Sequence, residues 1–336
     1  MELSKTLVID PSVSGTSGDM LLAALLDLGT TPSILKDIAE SIERRVPTVN
    51  TLNVSVNDVT TSGIRAKRIV INLREDSREC VRGSELINWL TSVTNDLGLS
   101  DNLRELALNI LMTILTAEAK VHGSSPYDVH LHEIGSADTV FDIVGAVALI
   151  NELGLINAKK YSLPVALGGG VIRVRHGIIP SPAYITLEIL SSKGFYVIGG
   201  PVDYELTTPT GAAILTNIAL PTKFIPFMKV EKLGYGAGGA EFKNLANVVR
   251  VMLGTSGTDL PSLSYEEIYV LEANVDDVSG EVLGFILRKL LSEGALDVSL
   301  VPVMSKKNRP AHIVKVLTHE EKVSDLINIM AVSYTH

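Results

Sequence analysis

The first thirty residues already confine this chain to an α/β architecture. TLVID (6–10) reads as a short buried strand, PSVSGTSG as a Ser/Gly-rich turn, and DMLLAALLDL as an apolar helix closed by Gly29. A strand that runs through a tight loop into a helix is the building step of layered α/β domains.

The remaining chain extends the pattern. A helix is expected over about 32–44, and residues 50–73 alternate as an antiparallel hairpin or meander. Two amphipathic helices follow REDSREC, near 84–97 and 101–121. VHLHEIGSADTVFDIVGA (129–146) begins as a strand and becomes a helix over about 136–153. LPVALGGGVIRVRHGIIPSP reads as strand, glycine turn, strand and Pro-bounded loop, and PAYITLEILSSKG as a helix. In ELTTPTGAA, Thr208 stands at an N-cap and Pro209 at the first helical position, where its missing N–H costs nothing. VEKLGYGAGGAEFKN reads as a glycine-rich loop, and LANVVRVMLG as a strand. GTSGTDLPSLS is the best linker, so the domains are set at 1–255 and 265–336, joined by 256–264. The last part has the order βαββα, most of a ferredoxin-like split βαβ unit. The fold class is thus α/β (α+β), a mixed N-terminal domain followed by a partial ferredoxin-like one.

Composition narrows the chemistry. The formal net charge of −9 makes nonspecific DNA or RNA binding a poor fit. Apolar runs stop well short of a membrane span, and MELSKTLVID lacks the order of a signal peptide, so a soluble, cytoplasmic protein is expected. Cys80 is the only cysteine. It rules out an intramolecular disulfide and any CxxC metal site, so a metal site here must draw on His, Asp and Glu.

Five groups of residues could carry chemistry. On a strand, His130 and His132 share a face and offer a two-point metal grip; Glu133 faces away unless Gly135 redirects it. Asp138 and Asp142 share a helix face. His plus carboxylate suits Ni, Mn, Zn or Fe(II). A capped strand–helix junction, with Ser136 as N-cap and Asp138 at the positive helix end, is the competing reading. In DPSVSGTSGDM, Ser14, Gly15, Ser17 and Gly18 precede a helix start suited to phosphate, and Asp10 and Asp19 could hold a divalent cation beside it; a tight turn with an Asp cap is the alternative. Thr208 and Thr210 form a similar pocket or a simple cap. Arg173, Arg175 and His176 could clamp an anion, although a solvated strand face explains them better. In the last domain Asp276, Asp277 and Glu281 are hard oxygen donors, with Lys306, Lys307 and Arg309 at a strand end: the parts of a metal–triphosphate site, or surface charge.

DPSVSGTSGDMLLAALLDLG, AEAKVHG, VHLHEIGSADTVFDIVGA, RHGIIPSPA, ELTTPTGAA, LGYGAGG, EANVDD and SKKNRP occur in this order along the chain. In this the chain resembles the LarC family, nickel-insertion proteins of the nickel-pincer nucleotide pathway, over essentially its whole length. The resemblance implies a lyase-class nickel chelatase, or cyclometallase. Ni²⁺ enters pyridinium-3,5-bisthiocarboxylic acid mononucleotide through two Ni–S bonds and one Ni–C bond, CTP is hydrolysed with Mn²⁺ or Mg²⁺, and the product serves lactate racemase-type enzymes. It assigns nickel to His130, His132 and Asp142, and proton transfer to Glu133 and Asp138. The mononucleotide falls to the two helix-start loops, metal–CTP to Asp276, Asp277, Lys306, Lys307 and Arg309. Expected partners are the mononucleotide, CTP, an apo lactate racemase-like enzyme and further copies of the chain. Two departures stand out. REDSREC replaces the histidine-rich insertion many members carry, and the chain ends at MAVSYTH where the family's last domain continues. The second departure favours a nickel carrier without turnover; a metal-dependent hydrolase of another nucleotide is the third reading.

Overall fold

The computed structural model describes residues 4–76, 80–131, 134–174, 177–256, 266 and 268–334. The chain divides into two units, Met1–Gly257 and Thr258–His336. In chain order the first contains β1 (Ser4–Asp10), α1 (Gly18–Asp27), α2 (Ser33–Arg45), β2 (Val49–Thr61), β3 (Ile64–Glu75), β4 (Val81–Arg82), α3 (Gly83–Asp96), α4 (Asp101–His122), β5 (His130–Leu131), α5 (Ala137–Glu152), β6 (Lys159–Ser162), β7 (Val165–Ala166), β8 (Val171–Val174), β9 (Gly177–Pro180), α6 (Tyr184–Ser192), β10 (Val197–Ile198), α7 (Pro209–Ile218), β11 (Leu220–Pro221), β12 (Lys229–Ala237) and β13 (Val248–Ser256).

Seven strands form a mixed sheet in the order β11-β6-β1-β13-β12-β3-β2. β1 pairs in parallel with β6 and antiparallel with β13, and Thr6 to Ile9 are buried. α1 lies against β12 and β3 on one side and α5 on the other. This explains why α1 is apolar all round: it has no solvent face to keep polar. Leu7, Ile9, Leu21, Leu25 and Phe141 are fully enclosed in the resulting core.

LGYGAGG is not the loop its glycines suggest. Its first five residues, Leu233–Ala237, belong to strand β12. A Cβ on Gly236 would stand 1.9 Å from the Met20 carbonyl oxygen, and one on Gly234 2.2 Å from that of Ala24. The glycines let the α1 backbone rest on the strand. Two further expectations are corrected. The segment after the glycine turn is a hairpin, β8 paired with β9, and not a strand followed by a loop. β13 runs through Ser256, so the first residues of GTSGTDLPSLS belong to the sheet; 257–265 lie outside the described residues.

The second unit contains β14 (Tyr269–Val275), α8 (Gly280–Ser292), β15 (Asp297–Ser305), a 3₁₀ turn (Lys306–Asn308), β16 (Arg309–Thr318) and α9 (Val323–Tyr334). Its strands order as β14-β16-β15, the order of the first three strands in a ferredoxin-like unit. Leu283, Ile286 and Leu290 of α8 and Leu326 of α9 close one face around Val314 and Val316. Ser279 caps α8, its hydroxyl accepting from the Val282 N–H. No helix among the described residues is long and apolar enough to cross a membrane.

Candidate functional site

Three helices start beside one another. The loop into α1 turns at Gly15, in the left-handed region at φ +62°. The Thr16 N–H donates to Thr207 Oγ1 at 3.2 Å, and the Thr208 N–H donates to the Thr16 carbonyl at 3.1 Å. The starts of α1 and α7 are thereby latched. Gly211 lies against this latch, where a Cβ would meet the Thr16 carbonyl oxygen at 2.4 Å. Thr208 is the N-cap of α7, its Oγ1 accepting from the Gly211 N–H at 3.2 Å. α5 meets the same place from the other side: a Cβ on Gly18 would stand 2.0 Å from Asp142 Oδ2. Helix starts carry positive partial charge and free N–H groups, an environment for anions.

Two cavities open here. One of about 420 Å³ is walled by Ser17, Asp203, Thr208, Gly238, Gly239 and Asn247. The other, about 480 Å³, is walled by His130, Asp138, Thr210, Glu118, His122 and Tyr184. Ile172, Glu205 and Thr208 line both, so the cavities share a wall. Ile172 and Ile179 are cross-strand partners of the β8–β9 hairpin, which contributes the apolar side.

The carboxylates set the electrostatics. Crowding by the protein pushes Asp19 up from the usual carboxylate range, against the hydroxyl of Ser17 that donates to it. Neighbouring protein that strips water from its carboxyl also raises Asp138, although much of the residue's surface stays open, and it accepts from the Thr139 N–H at 2.7 Å. Asp142 is pushed up furthest, first by burial and then by the negative charges of Asp19 and Asp138. Its residue surface is partly open, but Oδ1 is shut off from solvent and has no hydrogen-bond partner among the described residues.

Of the residues singled out in sequence, Ser17, Thr208, Thr210, His130 and Asp138 line these cavities. Gly15 and Gly18 shape the loop and the helix contact. Ser14 does something else: its buried hydroxyl donates to the Val248 carbonyl at 2.7 Å and ties the loop to β13. Asp10 is also diverted, because register sets it opposite Arg250 on β13; Arg250 Nη2 reaches Asp10 Oδ2 at 2.5 Å, and Ser12 Oγ donates to Oδ1. Ser136 stands at the N-cap of α5, but its hydroxyl donates to Glu75 Oε1 at 2.6 Å and leaves the helix uncapped by its side chain. His132, Glu133, Arg175 and His176 lie outside the described residues, and so do the side chains of Arg173 and Lys307. Among the described residues no three of His, Cys, Asp and Glu are grouped to hold a metal ion.

In the second unit, Asp276 and Asp277 are exposed in the turn between β14 and α8. Val275 pairs with His312, and Ser305 with Arg309, across β16. The acidic turn and the Lys306–Arg309 turn therefore occupy the same end of this sheet. Lys306 and Arg309 are exposed there.

Sequence reasoning gave no role to Glu118 and His122, which line the second cavity, His122 Nε2 standing 3.3 Å from Glu118 Oε2. Their four-residue spacing within AEAKVHG was the available signal. It also gave none to Asp203, Glu205, Gly238, Gly239 and Asn247. It placed Cys80 nowhere near the site, yet Cys80 Sγ is 3.0 Å from His130 Nδ1.

Residues 7–335 match the family model described as Nickel insertion protein. Relatives provisionally named nickel insertion proteins include one from Methanothermobacter thermautotrophicus, 40% identical over 95% of this chain and 75% of the relative. One from Methanococcoides burtonii is 41% identical over 94% and 75%, and one from Dictyoglomus thermophilum 36% identical over 94% and 78%. A solved apo structure, LarC2, the C-terminal domain of a cyclometallase involved in the synthesis of the NPN cofactor of lactate racemase, is 36% identical over 20% of this chain and 46% of that one, with a TM-score of 0.20. From the match over residues 7–335 and the identity shared with these relatives, the chain belongs to the nickel insertion protein family, that of LarC.

Proposed function

We propose that this protein inserts Ni²⁺ into pyridinium-3,5-bisthiocarboxylic acid mononucleotide, with hydrolysis of CTP, to make the nickel-pincer cofactor. One observation carries the reading: three helix starts meet at two cavities whose walls differ in chemistry. Ser17, Thr208 and the N–H groups of α1 and α7 suit the phosphate of a mononucleotide. Across the shared wall, His130 offers imidazole to nickel, which accepts it well, and His132 is proposed as its second donor. The thiocarboxylates come with the substrate, so the protein needs few donors of its own. Forming the Ni–C bond releases a ring proton, and Asp138 or Glu133 accepts it. Asp138 lines the cavity and is open to it, so a proton from a bound substrate can reach its carboxylate. Asp142, pressed against Gly18, supports the start of α1.

CTP belongs to the second unit. Asp276 and Asp277 would hold its Mg²⁺ or Mn²⁺, with Lys306, Lys307 and Arg309 on the phosphates. The cation would neutralise charge on the phosphate oxygens. The placement of both turns at one end of the β14-β16-β15 sheet supports this set.

The test incubates the protein with CTP, Mn²⁺, Ni²⁺ and the mononucleotide, and reads product by mass and by activation of apo lactate racemase. Tight binding of Ni²⁺ and CTP with no nickelated product would sink insertion and favour a carrier. Replacing His130 and His132 together by Ala is expected to lower insertion and leave CTP binding intact.

A further inference from the structure

A cysteine from distant sequence reaches His130, which lines the second cavity. β4 pairs antiparallel with β5, with Arg82 opposite His130 and Val81 opposite Leu131. Cys80, just before β4, is thereby carried to the His130 side chain, and its Sγ lies 3.0 Å from Nδ1. Cys80 is half-buried and His130 exposed, so a small ion or reagent can reach both. His130 also forms part of the wall of the 480 Å³ cavity.

We propose that Cys80 and His130 form a two-donor capture site for the incoming thiophilic divalent ion, at the edge of the cavity where the ion is used. This rests on the insertion reading above. The spacing suits it. Metal–sulfur and metal–imidazole bonds of about 2.3 and 2.0 Å, the zinc values, set neighbouring donors roughly 3.0–3.5 Å apart at angles of about 90–110°. The observed separation is 3.0 Å, so an ion is accommodated with a few tenths of an ångström of movement. The donor types also select. Thiolate and imidazole favour Ni²⁺ or Zn²⁺ and discriminate against Mg²⁺ and Mn²⁺. The hard carboxylates of Asp276 and Asp277 select the opposite way, so a chain that handles both kinds of ion keeps them apart by ligand softness. Two donors leave most of the coordination sphere open for the substrate's sulfurs. Capture forms one metal–sulfur and one metal–nitrogen bond and releases the thiol proton to solvent. Transfer breaks both bonds and the thiol takes a proton back, with no change of oxidation state.

Because Cys80 is the only cysteine, its alkylation reports the site directly. The full chain is treated with N-ethylmaleimide and followed by intact mass, with no metal, with NiCl₂, or with MgCl₂. Saturating Ni²⁺ is expected to slow alkylation at least about tenfold, since a coordinated thiolate is no longer the free nucleophile, while Mg²⁺ leaves the rate unchanged. In His130→Ala the protection by Ni²⁺ is expected to disappear, and circular dichroism establishes that the variant is folded. Equal rates with and without Ni²⁺ in the parent, or full protection in folded His130→Ala, would overturn the proposal. The two readings fail separately. Protection without nickelated product supports the capture site and removes insertion. Insertion with an unprotected thiol removes the capture site alone.

Discussion

Gly211→Ala tests whether the latch between α1 and α7 is as tight as its geometry. Gly211 is the third residue of α7, so a methyl group there would ordinarily help the helix, by up to about 1 kcal/mol. Here the methyl would stand 2.4 Å from the Thr16 carbonyl oxygen, 2.7 Å from Ser17 Cα and 2.8 Å from the Thr16 carbonyl carbon. All three are backbone atoms, so no side chain can swing aside. Reaching ordinary contact, about 3.5 Å, moves the loop away by roughly 1 Å. That breaks the bonds from Thr16 N to Thr207 Oγ1 and from Thr208 N to the Thr16 carbonyl, at about 1 kcal/mol each. Overpacking adds about 1–3 kcal/mol. Net destabilisation is then about 2–4 kcal/mol, a fall in Tm of roughly 4–16 °C for a unit of this size. The assay is thermal unfolding by circular dichroism, with phosphate binding as a second readout, since the displaced helix start is the proposed anion site. Gly284→Ala in α8 is the control. Its nearest new neighbour is Arg288 Nη1 at 3.8 Å, so it should be neutral or stabilising by up to about 1 kcal/mol. If Gly211→Ala melts at or above the parent temperature, the latch argument is wrong.

Two more substitutions probe the charges. Asp142 has its carboxyl raised by burial and by Asp19 and Asp138, so the folded state holds the proton more tightly than the unfolded one. The associated stability is present at low pH and lost as pH rises through the folded value. Asp142→Asn removes that loss: it should raise Tm at neutral pH, and the advantage should shrink as pH falls toward the unperturbed carboxylate range. An advantage that grows on acidification would contradict the assignment. Lys160 donates to the carbonyls of Leu155 and Ile156 at 2.8 Å and of Ala158 at 2.9 Å, tying the turn between α5 and β6 to the strand. Lys160→Met is expected to cost about 2–3 kcal/mol by denaturant unfolding, because charged donors leave acceptors unsatisfied when removed; an unchanged midpoint would show that water replaces the amine.

How much of this could be read from the chain depends on the range of the interaction that decides each feature. α4, α5 and the elements of the second unit follow from periodicity, which is local, and Ser279 adds a local cap to α8. Thr208 and Pro209 announce the start of α7 for the same reason, and the structure returns the capping bond to Gly211. LGYGAGG misleads because its glycines answer to α1, more than two hundred residues earlier, and not to a turn at their own position. Asp10 misleads likewise: it reads as a ligand at a strand end until register sets it opposite Arg250. The junction VHLHEIGSADTVFDIVGA shows both cases at once. Its strand-to-helix change is local and legible, and so is the clustering of His and Asp. The company those residues keep is not. Asp142 faces Gly18 because α5 packs on α1, and His130 faces Cys80 because two-residue strands β4 and β5 meet across fifty residues of chain. A cysteine-poor composition pointed away from thiol chemistry, yet one thiol suffices when topology delivers it to an imidazole. A count of cysteines bounds disulfides and CxxC sites; it does not bound a mixed pair, which takes one residue of each kind and leaves no motif in either neighbourhood.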